Sequence, residues 1–108
     1  MRLYGLKNCD SCRKARAALV AAGHDVDFVD VRETPIAPEV MARFLDSFGD
    51  TLVNRRSTTW RGLSEEARAA DPATLLSAHP ALMKRPLIEA DGALYLGWDA
   101  ATRTALLP

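Results

Sequence analysis

Three observations predict an α/β fold built on a mixed four-stranded sheet. A short apolar run at residues 3–6 precedes a stretch with a helical apolar period and then a β-branched run, which together make a strand, helix, strand unit. Residues 84–96 hold two β-type runs joined by Asp91-Gly92, the dipeptide that most strongly marks a tight hairpin. Between these segments, from about residue 38 to residue 80, only helix and turn signals occur. The expected order is β, α, β, a helical insertion, a β-hairpin and a closing α, all in a single domain of residues 1–108.

Leu3, Tyr4, Gly5 and Leu6 form the first strand, closed by Lys7 and Asn8. Ala15, Ala18, Leu19 and Ala22 then recur at i, i+3, i+4 and i+7, the apolar stripe of an amphipathic helix. Extending that phase backwards puts Cys12 on the buried stripe and leaves Cys9 at or just before the first turn, facing solvent. Gly23 stops the helix, and residues 26–31 form a second strand, parallel to the first and joined to it right-handedly. His24, at the turn, is a helix-end residue rather than a catalytic one. Arg32 to Pro35 break the strand. Pro38 suits a first helical position, and Val40, Met41, Phe44, Leu45 and Phe48 make one broad apolar face that ends at Gly49. Met41, Phe44 and Phe48 are expected in the core.

Residues 52–63 are polar and basic with no sustained period, hence a short helical turn plus a loop. Ser64 before Glu65 and Glu66, and Asp71 before Pro72, are helix N-caps, and His79-Pro80 is a stop because the residue before proline avoids the helical region. After the hairpin, Asp99 caps a last helix from Ala100 to Leu107.

At 108 residues the chain can bury a core without disulfides, since a domain of this size removes roughly 65% of its unfolded surface from water. Basic and acidic residues balance at 14 each, so no direct nucleic-acid or anionic membrane partner is expected. The basic residues nevertheless gather in three clusters: Lys7, Arg13, Lys14 and Arg16; Arg55, Arg56 and Arg61; and Lys84 with Arg85. The N-terminus has no secretory pattern, and no stretch approaches the ~20 apolar residues of a membrane span. A cytoplasmic setting follows, in which thiols are reduced at rest.

The chemistry centres on Cys9 and Cys12, both cysteines of the chain, at Cys-x-x-Cys spacing just after the first strand. A thiol at a helix N-terminus meets unpaired N–H groups and the positive end of the macrodipole, which favour the thiolate. Arg13 lies one turn on, with Lys7 and Lys14 nearby, and such surroundings lower a thiol pKa from ~8.5 to roughly 3.5–7.5. Cys9 is then the nucleophile, and Cys12 can resolve a mixed disulfide formed on it. A structural zinc site would need two further ligands, and His24 and His79 are too far apart to be a finger's His pair, so no metal is expected. The same two cysteines could instead form a structural disulfide or be a pair of inert thiols. The basic flank and the strand-to-helix placement favour redox chemistry over both.

A strand-helix-strand unit, an antiparallel hairpin and a closing helix, with Cys-x-x-Cys after the first strand, resemble the thioredoxin fold. Leu-Tyr-Gly-Leu-Lys-Asn-Cys at 3–9, Cys-Arg-Lys-Ala-Arg at 12–16, Arg56-Ser57-Thr58-Thr59-Trp60-Arg61, and His79-Pro80 running into Lys84-Arg85-Pro86-Leu87 narrow the likeness. Over nearly its whole length the chain is similar to the ArsC/Spx/YffB family of arsenate reductase-related proteins, and nearest to the YffB-type branch. The resemblance implies that Cys9 is the nucleophile, that Arg56 and Arg85 bind anions, and that Pro86 is the proline facing the active cysteine, with its isomer left open. Lys7, Asn8 and Arg13, beside Cys9, complete the expected substrate-binding set.

Two positions depart from the arsenate reductases of this family. Gly5 stands where they carry a histidine four residues before the cysteine, and Gly97-Trp98 where they carry a third arginine. Both argue against arsenate as substrate. Thr-Thr-Trp-Arg matches the YffB-type branch instead, which implies a glutathione-dependent thiol reductase acting on a thiol or disulfide substrate. No bound cofactor is implied, glutathione being a co-substrate, and the protein is expected to be a monomer. Cys12 also matches the Cys-x-x-Cys of Spx-type redox-sensing regulators, which bind RNA polymerase. Such a regulator, or a genuine arsenate reductase, is what the chain would be if it is not a thiol reductase.

Overall fold

The computed structural model describes residues 1–108. Its elements follow in the order β1 (Arg2–Gly5), α1 (Asp10–Ala21), β2 (Asp27–Asp30), α2 (Pro38–Phe48), α3 (Thr58–Arg61), α4 (Glu65–Arg68), α5 (Pro72–Ala78), β3 (Leu87–Ala90), β4 (Ala93–Leu96) and α6 (Ala100–Leu106). Short 3₁₀ turns lie at Gly49–Leu52 and Pro80–Leu82. The chain divides into two compact units: residues 1–30 with 85–108, and residues 31–84.

The first unit carries a four-stranded sheet in the order β2-β1-β3-β4, in which β1 pairs with β2 in parallel and with β3 antiparallel. Its register aligns Phe28, Leu3, Ile88 and Tyr95 in one row across all four strands. That row packs into the same core as Cys12, Ala15 and Leu19 of α1 and Leu106 of α6. Fully burying Leu3 and Ile88 is worth roughly 1.5–3 kcal/mol each, which fixes β1 against β3 and beneath α1. Asp91 (φ 51°) and Gly92 (φ 80°) form the hairpin loop with two positive φ angles, as its tight turn requires.

α1 ends in a Schellman motif. Gly23 (φ 93°) donates to Val20 O and His24 N–H donates to Leu19 O, each at 3.0 Å. His24 Nε2 also donates to Leu106 O at 2.8 Å, fastening the exit of α1 to the end of α6, which is the helix-end role read from the sequence. Asp99 caps α6 by accepting from Thr102 N–H at 2.9 Å.

The second unit is helical. α2 begins with proline at its first position and buries Phe44 completely, but Met41 and Phe48 are only partly buried, contrary to expectation. The reason lies in the partners: α2 packs on the short α5 and on a 3₁₀ turn, which cover part of its broad apolar face. Met41 instead lines an apolar cleft of about 260 Å³ with Leu45, Leu76 and Pro80. Ser57, Ser64 and Asp71 cap α3, α4 and α5, accepting from the N–H groups of Trp60, Ala67 and Thr74. The loop through α3 is braced by its own arginines. Arg68 donates to the carbonyls of Trp60 and Arg61, Arg61 donates to Arg56 O, and Arg55 donates to Asp50 O. The guanidinium groups of Arg55 and Arg68 also lie 5.3 and 5.4 Å from the Trp60 ring centre. No helix is long and apolar enough to cross a membrane.

Candidate active site

The turn between β1 and α1 delivers Cys9. Cys9 N–H donates to Leu6 O at 3.1 Å, and Lys7 N–H donates to Asp30 Oδ2 at 2.9 Å, which ties the turn to the end of β2. Cys9 itself is the N-cap of α1, extended at φ −94° and ψ 119°, and its carbonyl accepts the first helical hydrogen bond from Arg13 N–H. It is half-buried, whereas Cys12, in the first turn, is 0% exposed in the core of the first unit.

These two environments push the thiols apart. Partial burial works against the ionised form of Cys9, but hydrogen bonds from the Cys12 thiol, the Cys12 backbone N–H and the Arg85 guanidinium outweigh it, so its pKa falls below the ordinary thiol value. Cys12 moves the other way, pushed up to about 12 by burial and then by its hydrogen bond to Cys9. At neutral pH Cys9 is the more acidic thiol, and Cys12 keeps its proton as a donor.

Arg85 is the cation that acts on the Cys9 sulfur. It directly precedes Pro86, which is fully buried, joined to Arg85 by a cis peptide bond, and accepts from Gly97 N–H at 2.8 Å. Arg13, which the sequence pointed to, is engaged elsewhere: its guanidinium pairs with Asp10 on the exposed side of α1. Lys7 and Asn8 are exposed in the turn before Cys9. Arg56 belongs to the second unit, where it lines a polar cleft of about 450 Å³ with Arg55, Asn54 and Lys84. Its side chain is exposed. Gly5 backs onto Cys12, a Cβ there falling 2.5 Å from Cys12 Sγ, and the only signal of this in the sequence is a lone glycine in a strand, which marks close backbone approach. No group of three or more His, Cys, Asp or Glu side chains is arranged to hold a metal.

A mixed four-stranded sheet with a thiol pair at the start of its first helix defines a thioredoxin-like α/β protein. The chain belongs to the ArsC family, whose model matches residues 4–106. A solved structure named YFFB protein superposes with a TM-score of 0.90 at 34% identity, covering 99% of this chain and 98% of that one. An arsenate reductase (ArsC) related protein from Brucella melitensis is 38% identical with a TM-score of 0.73, over 96% and 91% of the two chains. The global transcriptional regulator Spx of Bacillus subtilis is 29% identical, over 98% of this chain and 86% of its own.

Proposed function

We propose that this protein is a cytoplasmic thiol-disulfide oxidoreductase, a glutathione-dependent thiol reductase with Cys9 as its nucleophile. The observation that carries this is the split of the thiol pair, Cys9 made acidic at a half-buried helix N-cap beside Arg85 and Cys12 held protonated beneath it. The Cys9 thiolate attacks the glutathionyl sulfur of a mixed disulfide. The S–S bond breaks, the substrate leaves as a thiolate and takes up a proton, and Cys9 carries the glutathionyl group. A second glutathione thiolate attacks that group, releasing glutathione disulfide and regenerating the Cys9 thiolate, so the two electrons come from glutathione.

Burial is the larger cause of the high Cys12 pKa, and it persists when Cys9 is blocked, so Cys12 is a poor thiolate for resolving the intermediate. This favours glutathione over Cys12 as the resolving nucleophile. Arg85 and Arg56 are assigned to the anionic groups of the substrate, since a planar guanidinium pairs with carboxylates bidentately. Lys7, Asn8 and Arg13 are assigned to its margin. The test is turnover of a glutathionylated small thiol with glutathione supplied or omitted. Turnover should require glutathione, and equal rates without it would remove it as the electron donor.

The similarity to Spx, together with the Cys9–Cys12 pair, favours a second reading. There the two thiols lose two electrons and two protons to a peroxide or disulfide oxidant, and the resulting bridge alters a surface that binds RNA polymerase. Capture of RNA polymerase subunits by the reduced or the oxidised protein, but not both, would support this regulator over the enzyme.

A further inference from the structure

Gly5 ends β1, is buried, and pairs with Asp30 in the parallel register. Glycine loses more backbone freedom on folding than any other residue and gives a strand no side chain to pack, so a buried glycine at the end of β1 calls for a reason. Backbone conformation does not supply one, because Gly5 is not among the glycines with positive φ. Space does. A Cβ at this position would lie 2.5 Å from Cys12 Sγ and 3.2 Å from Cys12 Cβ. Real Cβ atoms essentially never come as close as the first of these distances, so a side chain here forces something to move. Cys12 has little room to give way, being packed with Leu3, Ala15, Leu19 and Ile88, none of which is exposed.

We infer that Gly5 is a positioning residue for the thiol pair, its bare backbone leaving the gap in which the Cys12 sulfur lies with its S–H directed to Cys9. A methyl group at residue 5 would press on the Cys12 sulfur and either turn the thiol or lift the first turn of α1. Both withdraw a donor from Cys9. This rests on Cys9 being the nucleophilic thiol, and it identifies a residue that touches neither substrate nor the reacting sulfur but sets the second thiol beside it.

The experiment is a double-mutant cycle read by the pH profile of Cys9 alkylation with iodoacetamide, using Gly5→Ala, Cys12→Ala and the double variant. Gly5→Ala should raise the midpoint of the profile by about one pH unit, a tenfold weaker acid. In the Cys12→Ala background the same substitution should leave the midpoint where Cys12→Ala alone puts it. A shift of the same size in both backgrounds, or none in Gly5→Ala, overturns the inference. If Gly5→Ala does not fold, the Cys12→Ala change should restore folding, and a double variant as unstable as the single one contradicts the steric basis. Neither readout involves turnover of a disulfide, so failure here and failure of the reductase assignment are distinguishable.

Discussion

The guanidinium of Arg85 acts on the sulfur of Cys9 from two residues before β3, the strand that pairs antiparallel with β1. Register brings them together. Tyr4 of β1 stands opposite Leu87 of β3, so the turn leaving β1 and the segment entering β3 share one end of the sheet. Replacing Arg85 with alanine removes a charged hydrogen bond to the thiolate while leaving the helix N-terminus intact. Because Cys9 is half-exposed, the effect is screened, and the alkylation midpoint should rise by about 0.5–1 pH unit. Arg13→Ala should move it much less. A larger shift in Arg13→Ala would return the activating charge to the helix.

Cys9 should alkylate at least about a hundredfold faster than Cys12 at neutral pH, because only Cys9 is both reachable and acidic. A peptide-mapped iodoacetamide time course measures the ratio. Comparable rates would mean that the buried position of Cys12 opens readily.

The two thiols also make stability depend on pH in opposite senses. Cys9 has a lowered folded-state pKa, so between that value and the ordinary thiol value the unfolded chain binds more protons and stability rises with pH. Cys12 has a folded-state pKa raised from 9.0 to about 12, so from about 9 upward the unfolded chain is the better acid and stability falls. The loss across that alkaline window is of order a few kcal/mol. Urea unfolding at stepped pH should show this decline in the wild type and a smaller one in Cys12→Ala. Identical alkaline slopes would mean that Cys12 is not held protonated by the fold.

Arg56→Ala should raise KM for a glutathionylated substrate several-fold and leave the Cys9 alkylation profile unchanged, as suits a binding residue that does not tune the sulfur. A changed profile with unchanged KM would reverse that assignment.

Arsenate should be a poor substrate. A small oxyanion has to be desolvated at the sulfur, and each missing charged hydrogen bond is worth roughly 1.5–3 kcal/mol. With glycine at residues 5 and 97, two such contacts are absent relative to the arsenate reductases this chain resembles, a deficit of about 10²- to 10⁴-fold in kcat/KM if they add. A steady-state comparison in which arsenate gave the higher kcat/KM would overturn the substrate assignment.

Local chemistry in the sequence carried most of the fold. Pro38 and Gly49 bracket α2, Asp91-Gly92 makes the hairpin, and the phase of Ala15 and Leu19 correctly buries Cys12. Periodicity could show that α2 has an apolar face but not how much of it a partner covers, which is why Met41 and Phe48 are less buried than expected. The candidate site was legible where it is local and obscure where it is not. Helix spacing put Arg13 near Cys9, yet Asp10 is nearer still and takes its guanidinium. Residue type alone placed Arg85 only in a basic cluster with Lys84, since its approach to Cys9 depends on pairing between strands more than eighty residues apart. The contact between Gly5 and Cys12 likewise depends on how closely α1 packs on β1, a distance no sequence pattern records.

A reductase of this kind requires that Cys9 take the glutathionyl group and that glutathione remove it. Mass spectrometry of the reduced protein mixed with one equivalent of a glutathionylated thiol follows both steps. A single glutathionyl adduct is expected on the peptide carrying Cys9, cleared on adding glutathione, with no adduct in Cys9→Ser. An adduct on Cys12, or disulfide reduction by Cys9→Ser at the wild-type rate, would contradict the mechanism.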